Sequence, residues 1–540
     1  MSTNSPPLYS PIALSDLKPT DLTRWRLVVN KGRQVWEYLE SESSAQARPQ
    51  TDVERYWLGL PVDSVKPSAQ VNTPWEAAQK GYTFFRNLQT DDGHWAGRYD
   101  GPMFMVPGII ISLYCVGHRI PDYQRVEIIR YILSLAHPED GGWGIHSESV
   151  STVFGTTLNY VTLRILGVGP DEAPMTKARS TLHRLGGAAR IPAWGKFWLA
   201  ILGLYKYEGM NPVPPELTLL PYILPIHPGR FWIHSRAVYM SMTYLYGLRY
   251  VTEETPLIVQ LREELYTQPF DSIPWENNRN NVAQVDLYTP SGPLTLAANY
   301  LLVLFEKVCP TKLRHQAIDE ALEQILMEEE NTSGLCLAPV NYAINTVVLA
   351  VAKGKDSWEY RRHLERAGDA MWMSSQGLMV NGTNGSQLWD TGFAIQAVVE
   401  TGLADLEENH TSMTKALEFL NVCQIQNDPP YLERNYRFST KGAWPFSTYE
   451  QGYTVSDCTA EGLQGVLLLQ SKPYTSDPVS KRRLCDSVDL LLTMQTSSGG
   501  FASYETPRSY EWLELLNPAE IFGRYMIEYT YPECTSSVVL

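Results

Sequence analysis

Lys80-Gly81-Tyr82-Thr83-Phe84-Phe85-Arg86-Asn87-Leu88-Gln89-Thr90-Asp91-Asp92-Gly93-His94-Trp95 sets the fold: an apolar helix, a glutamine, a glycine turn and an aromatic ring. Related copies recur along the chain. Arg130 is followed by Ile132, Leu133, the turn Asp140-Gly141-Gly142 and Trp143. Lys415 leads through Phe419 and Gln424 to Gly442 and Trp444, after a longer insertion. Ser487 leads to Gln495, Gly499-Gly500 and Phe501. Repeats with a period of about 40–50 residues point to stacked helical units. In each unit the Gln amide is expected to cap the next helix while the ring packs over it.

Most other segments also carry helical periodicity, among them 107–114, 124–136, 151–166, 195–207, 293–308 and 392–401. Pro and Gly clusters separate them, and strand signals are few. The expectation is an all-α chain of two α/α barrel (toroid) domains with Gln/Trp repeats. Residues 1–96 form an N-terminal segment and first repeat packed on the catalytic barrel. Residues 97–385 form an inserted α/α barrel, and residues 386–540 the catalytic one.

The 540 residues carry a formal charge of −15. That balance excludes nucleic acid as the main partner, because phosphate binding needs clustered Lys and Arg. Aromatics are plentiful: 15 Trp, 31 Tyr and 14 Phe. Ring faces build cores, and they also stabilise cations without acting as bases. The seven cysteines are scattered without zinc-site spacing, so no structural metal is expected. The first 17 residues are rich in Ser and Pro without an apolar core. No secretory signal is read there, and the thiols are expected to be reduced. No apolar run reaches the roughly eighteen residues of a membrane span. The richest stretch, 231–251, suits a helix lying on a bilayer or lining a pocket. Periodicity gives equal weight to a buried core helix with charged ends.

The chemistry centres on Val455-Ser456-Asp457-Cys458-Thr459-Ala460-Glu461. Apolar residues then recur at helical spacing, so Asp457 stands at a helix start. Such an Asp ordinarily caps the helix. The adjacent cysteine and the surrounding aromatic segments favour a proton donor instead.

Together with the repeats, five stretches complete a pattern: Asp457-Cys458-Thr459-Ala460-Glu461, Asp140-Gly141-Gly142-Trp143-Gly144, 193–198 (Ala-Trp-Gly-Lys-Phe-Trp), 382–391 (Gly-Thr-Asn-Gly-Ser-Gln-Leu-Trp-Asp-Thr) and 444–448 (Trp-Pro-Phe-Ser-Thr). The chain resembles an oxidosqualene cyclase from near Trp25 to Leu540. The resemblance implies cyclisation of 2,3-oxidosqualene by epoxide protonation and a carbocation cascade, with no cofactor and no metal. It implies Asp457 as the acid and Cys458 and Cys534 as its hydrogen-bonding partners. His234 and Tyr504 complete the polar network and accept the final proton; taken alone, His234 would read as a core histidine. Trp389 and Phe446 match rings that face the developing cations. Tyr99, Trp194 and Trp232 would add to the wall, although core packing is the heavier reading for Trp194. Squalene–hopene cyclases carry Asp-x-Asp-Asp at this place. Here Val455 and Cys458 replace the outer two acids, which favours an epoxide over an alkene as the protonated group.

Thr383, Gln451 and Val455 resemble the lanosterol-forming branch, and the same trio suits a protostadienol-type cyclase. The resemblance further implies a monotopic membrane protein on the cytosolic face of the endoplasmic reticulum, with lipid droplets as a second location and no obligate protein partner. Residues 234–251 align with the family's membrane helix and channel, and Ser235 and Tyr239 with its constriction. Relatives continue beyond Glu533-Cys534-Thr535-Ser536-Ser537 by about two or three helical repeats. The catalytic barrel is therefore expected to be incomplete at the C-terminus, with a marginal last helix and Cys534 poorly held against Asp457. Two further readings follow. One is a truncated inactive homologue. The other is a glycosidase-like α/α barrel, which would need a second carboxylate across the cleft, and none is identified.

Overall fold

The computed structural model describes residues 8–62 and 71–540. Residues 1–7 of the Ser/Pro-rich start lie outside the described residues. Among those described, nineteen α-helices alternate with short 3-10 turns. Three small antiparallel hairpins accompany them: Trp25–Asn30 with Arg33–Tyr38, Met371–Ser374 with Gly377–Val380, and Phe501–Ala502 with Thr530–Tyr531. The protein is all-α, built from two helical domains.

The repeat works as a joint. Helix Pro74–Arg86 starts on Thr73, whose side chain accepts the Glu76 N–H, with Pro74 in the first turn. It ends in a turn closed by Gln89, whose amide donates to the Gly93 carbonyl at 2.8 Å and to the Ser412 carbonyl of the neighbouring helix at 3.0 Å. Gln424 likewise binds the Gly442 carbonyl (3.1 Å) and the Arg483 carbonyl (3.2 Å). The glutamines therefore tie helix to helix through carbonyls and do not cap free N–H groups. The indoles do the capping: Trp95, Trp143 and Trp444 donate to Phe85, Ile132 and Leu420 at 2.8–2.9 Å. Each acceptor is a last-turn carbonyl with no i+4 donor inside its helix. Gly93 has φ +98°, and a Cβ there would lie 2.0 Å from the Lys415 carbonyl oxygen. The unit whose helix is Asp122–Ser134 lacks the glutamine; backbone bonds between His137 and Gly141-Gly142, with the Asp140 carboxylate accepting the Gly142 N–H, close its turn instead.

Buried side chains form two main cores. The larger runs from Tyr9 to Ile521 and holds Trp25, Trp143, Trp198 and Trp372. The second gathers Tyr82, Leu88 and Trp95 with Leu388, Leu417, Trp444, Val455 and Cys458. The helical expectation for 195–207 is too long: helix Ala193–Ile201 stops before Gly203, which is left-handed at φ +72°.

The reading of 234–251 as a bilayer helix is corrected. Helix Ile233–Leu248 is buried along most of its length and packs on helices Thr311–Asn331 and Pro339–Ala352. An uncovered apolar face lies on helix Pro293–Val308, where Leu294, Tyr300, Leu301, Leu304 and Val308 are exposed. The Thr295 hydroxyl donates to the carbonyl of Leu515, itself exposed, which extends this face. No helix among the described residues is long and apolar enough to cross a membrane.

Candidate active site

Asp457 is the second residue of helix Ser456–Gln470. That helix start is pinned by Ser456, whose N–H donates to the Ser503 carbonyl (2.8 Å) and whose hydroxyl donates to the Ala502 carbonyl (2.6 Å). Ala502 belongs to the short hairpin that leads into helix Pro532–Val539. The Phe501 N–H donates to the Thr535 hydroxyl at 3.0 Å. One ribbon thus fixes both the acid and Cys534. The Cys534 thiol donates to one Asp457 oxygen at 3.5 Å, and the Cys458 N–H to the other at 2.8 Å. The expectation of a poorly held Cys534 is corrected: the hairpin supplies the tertiary support its short helix needs.

Burial pushes the Asp457 carboxyl above its ordinary value, and the hydrogen bonds from Cys458 and Cys534 offset part of that rise. Burial also drives both thiols up, Cys534 to about 12, so each stays a protonated donor.

The rings fall into two runs. On one side Trp389 and Phe446 stack with centroids 5.9 Å apart, and Tyr99 lies 5.4 Å from Phe446. On the other, Tyr504 meets His234 edge to face at 5.1 Å, and His234 lies 4.5 Å from Trp232. Tyr504 joins the two, since its hydroxyl feels Cys458, Asp457 and Tyr99. These rings keep part of their surface uncovered. Each run therefore presents uncovered ring surface beside the acid.

Burial pulls the His234 imidazole down to about 4 and holds the Tyr504 phenol far above its usual range. Neither side chain hydrogen-bonds another described residue. His234 is thus a neutral imidazole with an unused lone pair beside a protonated phenol.

The remaining candidates fall in several places. Thr383 is left-handed (φ +47°) and follows Gly382, over which the Tyr99 ring packs. A β-branched residue in that conformation is strained. Ser235 and Tyr239 donate their hydroxyls to the carbonyls of Tyr525 and Pro214. Val455 is buried in the second core. Gln451 is fully buried, with its amide spent on Ser447 and the Leu337 carbonyl, so it shapes the loop before Asp457 and faces no open space. Trp194 packs on the larger core and shares no ring contact with the other site aromatics.

The sequence reading missed Tyr525, Phe522 and Phe104. They prolong the second run beyond Trp232, at centroid spacings of 5.9–6.0 Å. They lie outside the repeats and carry no spacing signal. The reading also missed a buried Glu329, Cys336 and His363 cluster of metal-ligand type. Its contacts are hydrogen bonds of 2.9–3.0 Å that the Glu329 carboxylate accepts from the imidazole and the thiol. Edges between ligands of a tetrahedral zinc would be longer, roughly 3.3–3.6 Å. Asn345 turns its amide N–H toward Glu329 and Cys336, and a donor there opposes a cation.

Residues 78–372 match the squalene-hopene cyclase N-terminal domain, and residues 385–538 match the squalene-hopene cyclase C-terminal domain. The chain is 50% identical, over 97% of its length, to lanosterol synthase of Pneumocystis carinii, and covers 73% of it. It is 46% identical over 96% to lanosterol synthase of Homo sapiens, covering 71%. It is 47% identical over 96% to protostadienol synthase A of Aspergillus fumigatus, also covering 71%.

Proposed function

The chain belongs to the squalene-hopene cyclase family, in its oxidosqualene cyclase branch, and from that premise we propose that it converts (S)-2,3-oxidosqualene to lanosterol. The carrying observation is Asp457, a carboxyl raised by burial yet bonded by Cys534 and the Cys458 N–H, beside uncovered aromatic rings. A protonated carboxyl gives its proton to the epoxide oxygen, the C–O bond breaks, and a neighbouring double bond supplies electrons to the carbon left cationic. Thiol donors steady the carboxylate that remains, so they strengthen the acid. The cation then migrates past Trp389, Phe446 and Tyr99, each ring face worth about 0.5–2 kcal/mol. At the end a C–H bond beside the last cation breaks, its electrons form the ring double bond, and the proton passes to the His234 lone pair. An imidazole lowered to about 4 stays neutral and ready for that step.

The protostadienol relative is nearly as similar to the chain, and a protostadienol-type product is the second reading. Detergent-solubilised protein incubated with 2,3-oxidosqualene and analysed by mass spectrometry decides among them. Tetracyclic product from the wild type that vanishes in Asp457→Asn is the expected result. Well-folded protein that forms none overturns the reading. The retention time of the product separates lanosterol from protostadienol.

The substrate is insoluble in water, so the proposal includes monotopic attachment to the cytosolic face of the endoplasmic reticulum, and to lipid droplets. Support comes from the exposed apolar face of helix Pro293–Val308.

A further inference from the structure

His234 and Tyr504 meet edge to face at 5.1 Å without a hydrogen bond of their own. Their mutual placement must therefore come from neighbours. His234 and Arg236 share helix Ile233–Leu248, and Glu505 follows Tyr504 in the chain. The Arg236 guanidinium donates to the Glu505 carboxylate at 2.8 Å, with both side chains buried. Its other terminal nitrogen donates to the Phe231 carbonyl at 3.0 Å. Arg508 approaches the same carboxylate at 3.2 Å and donates to the Gly229 carbonyl at 3.1 Å. Glu505 is thus gripped by two arginines that are also anchored to the strand of chain just before His234.

We infer that Arg236 and Glu505 are positioning residues that fix the His234–Tyr504 pair, and so select which C–H bond beside the last cation is broken. The inference rests on the proposed cyclase activity. Proton loss from a cation is fast wherever a base is in reach, so the outcome depends on where the lone pair sits. A buried guanidinium that splits its two terminal nitrogens between Glu505 and the Phe231 carbonyl gives that precision, and a lysine at the same place does not reproduce the fork. Neither Arg236 nor Glu505 hydrogen-bonds Asp457, Cys458 or Cys534: the partners of the bridge are the Phe231 carbonyl and Arg508.

The test replaces both members of the bridge together, Arg236→Met with Glu505→Gln, so that neither is left charged without the other, while Arg508 keeps its bond to the Gly229 carbonyl. Folding is checked by circular dichroism and products are resolved by double-bond position. The expected result is continued consumption of 2,3-oxidosqualene, with the ratio of main product to displaced double-bond isomers falling about tenfold or more. An unchanged ratio in the folded variant overturns the inference, even if turnover drops, because a merely structural bridge would slow every product alike. If the double variant does not fold, Arg236→Lys, which keeps the charge and loses the fork, is read by the same ratio. A wild-type chain that forms no cyclic product defeats the underlying activity instead, which keeps the two failures distinct.

Discussion

At the residue scale, the acid is tuned by opposing influences. Burial raises Asp457, and the thiol of Cys534 together with the Cys458 N–H lowers it part of the way back. Cys534→Ala removes one donor to the carboxylate, so the carboxyl becomes weaker and its value rises further. Because the protonated form is the active one, activity is lost as pH climbs through that value. The alkaline limb of the kcat/KM profile is therefore expected to move upward by about one pH unit in Cys534→Ala, while turnover at neutral pH falls about tenfold. A downward move would mean that the thiol raises the acid and would contradict the geometry. Much at this scale was legible beforehand. Asp457, Cys534, His234, Tyr504, Trp389 and Phe446 were named with the help of the family resemblance, and the structure sets them in three contacting pairs. Phe104, Phe522 and Tyr525 were not legible, because each is a single aromatic that acquires its neighbours only through tertiary contact. Gln451 was placed near the reaction by motif, yet its amide is consumed inside its own loop.

At the level of elements, the repeats depend on a few backbone positions more than on their apolar faces. Gly93 combines φ +98° with a carbonyl that a methyl group would overlap. Gly93→Ala is therefore expected to destabilise the protein by about 3 kcal/mol or more, since strain and a backbone clash combine. Gly402 is left-handed as well but has open space around its Cα, so Gly402→Ala should cost only about 1 kcal/mol. Comparing their melting curves checks this, and equal shifts would refute the joint described for the repeat. Sequence spacing located these turns well. It assigned the caps to the wrong partner, because an indole N–H reaching back to its own helix leaves no mark in periodicity. The stretch 231–251 shows the complementary limit. Its composition suits a surface or a core equally, and only the helices packed around it decide for the core.

For the whole molecule, the question is how a water-insoluble chain reaches an enclosed acid. The apolar face of helix Pro293–Val308, continued by Leu515, is the exposed surface on which the proposed lipid contact rests. Leu301→Glu with Leu304→Glu is expected to release the protein from liposomes in a flotation assay, by about tenfold or more in partition, while the melting temperature stays near that of the wild type. Unchanged flotation would remove this face as the attachment site. The helical class was readable from the repeats, whereas the exposed apolar face was not, because exposure is a property of the assembled fold.

The ribbon 501–502/530–531 joins the proton donor to its sulfur neighbour through a shared backbone. The contact that sets acid strength is thus held by backbone bonds and does not depend on Trp389 or Phe446. Substitutions of Trp389 or Phe446 that redirect the hydrocarbon are therefore expected to leave the first proton transfer as it was.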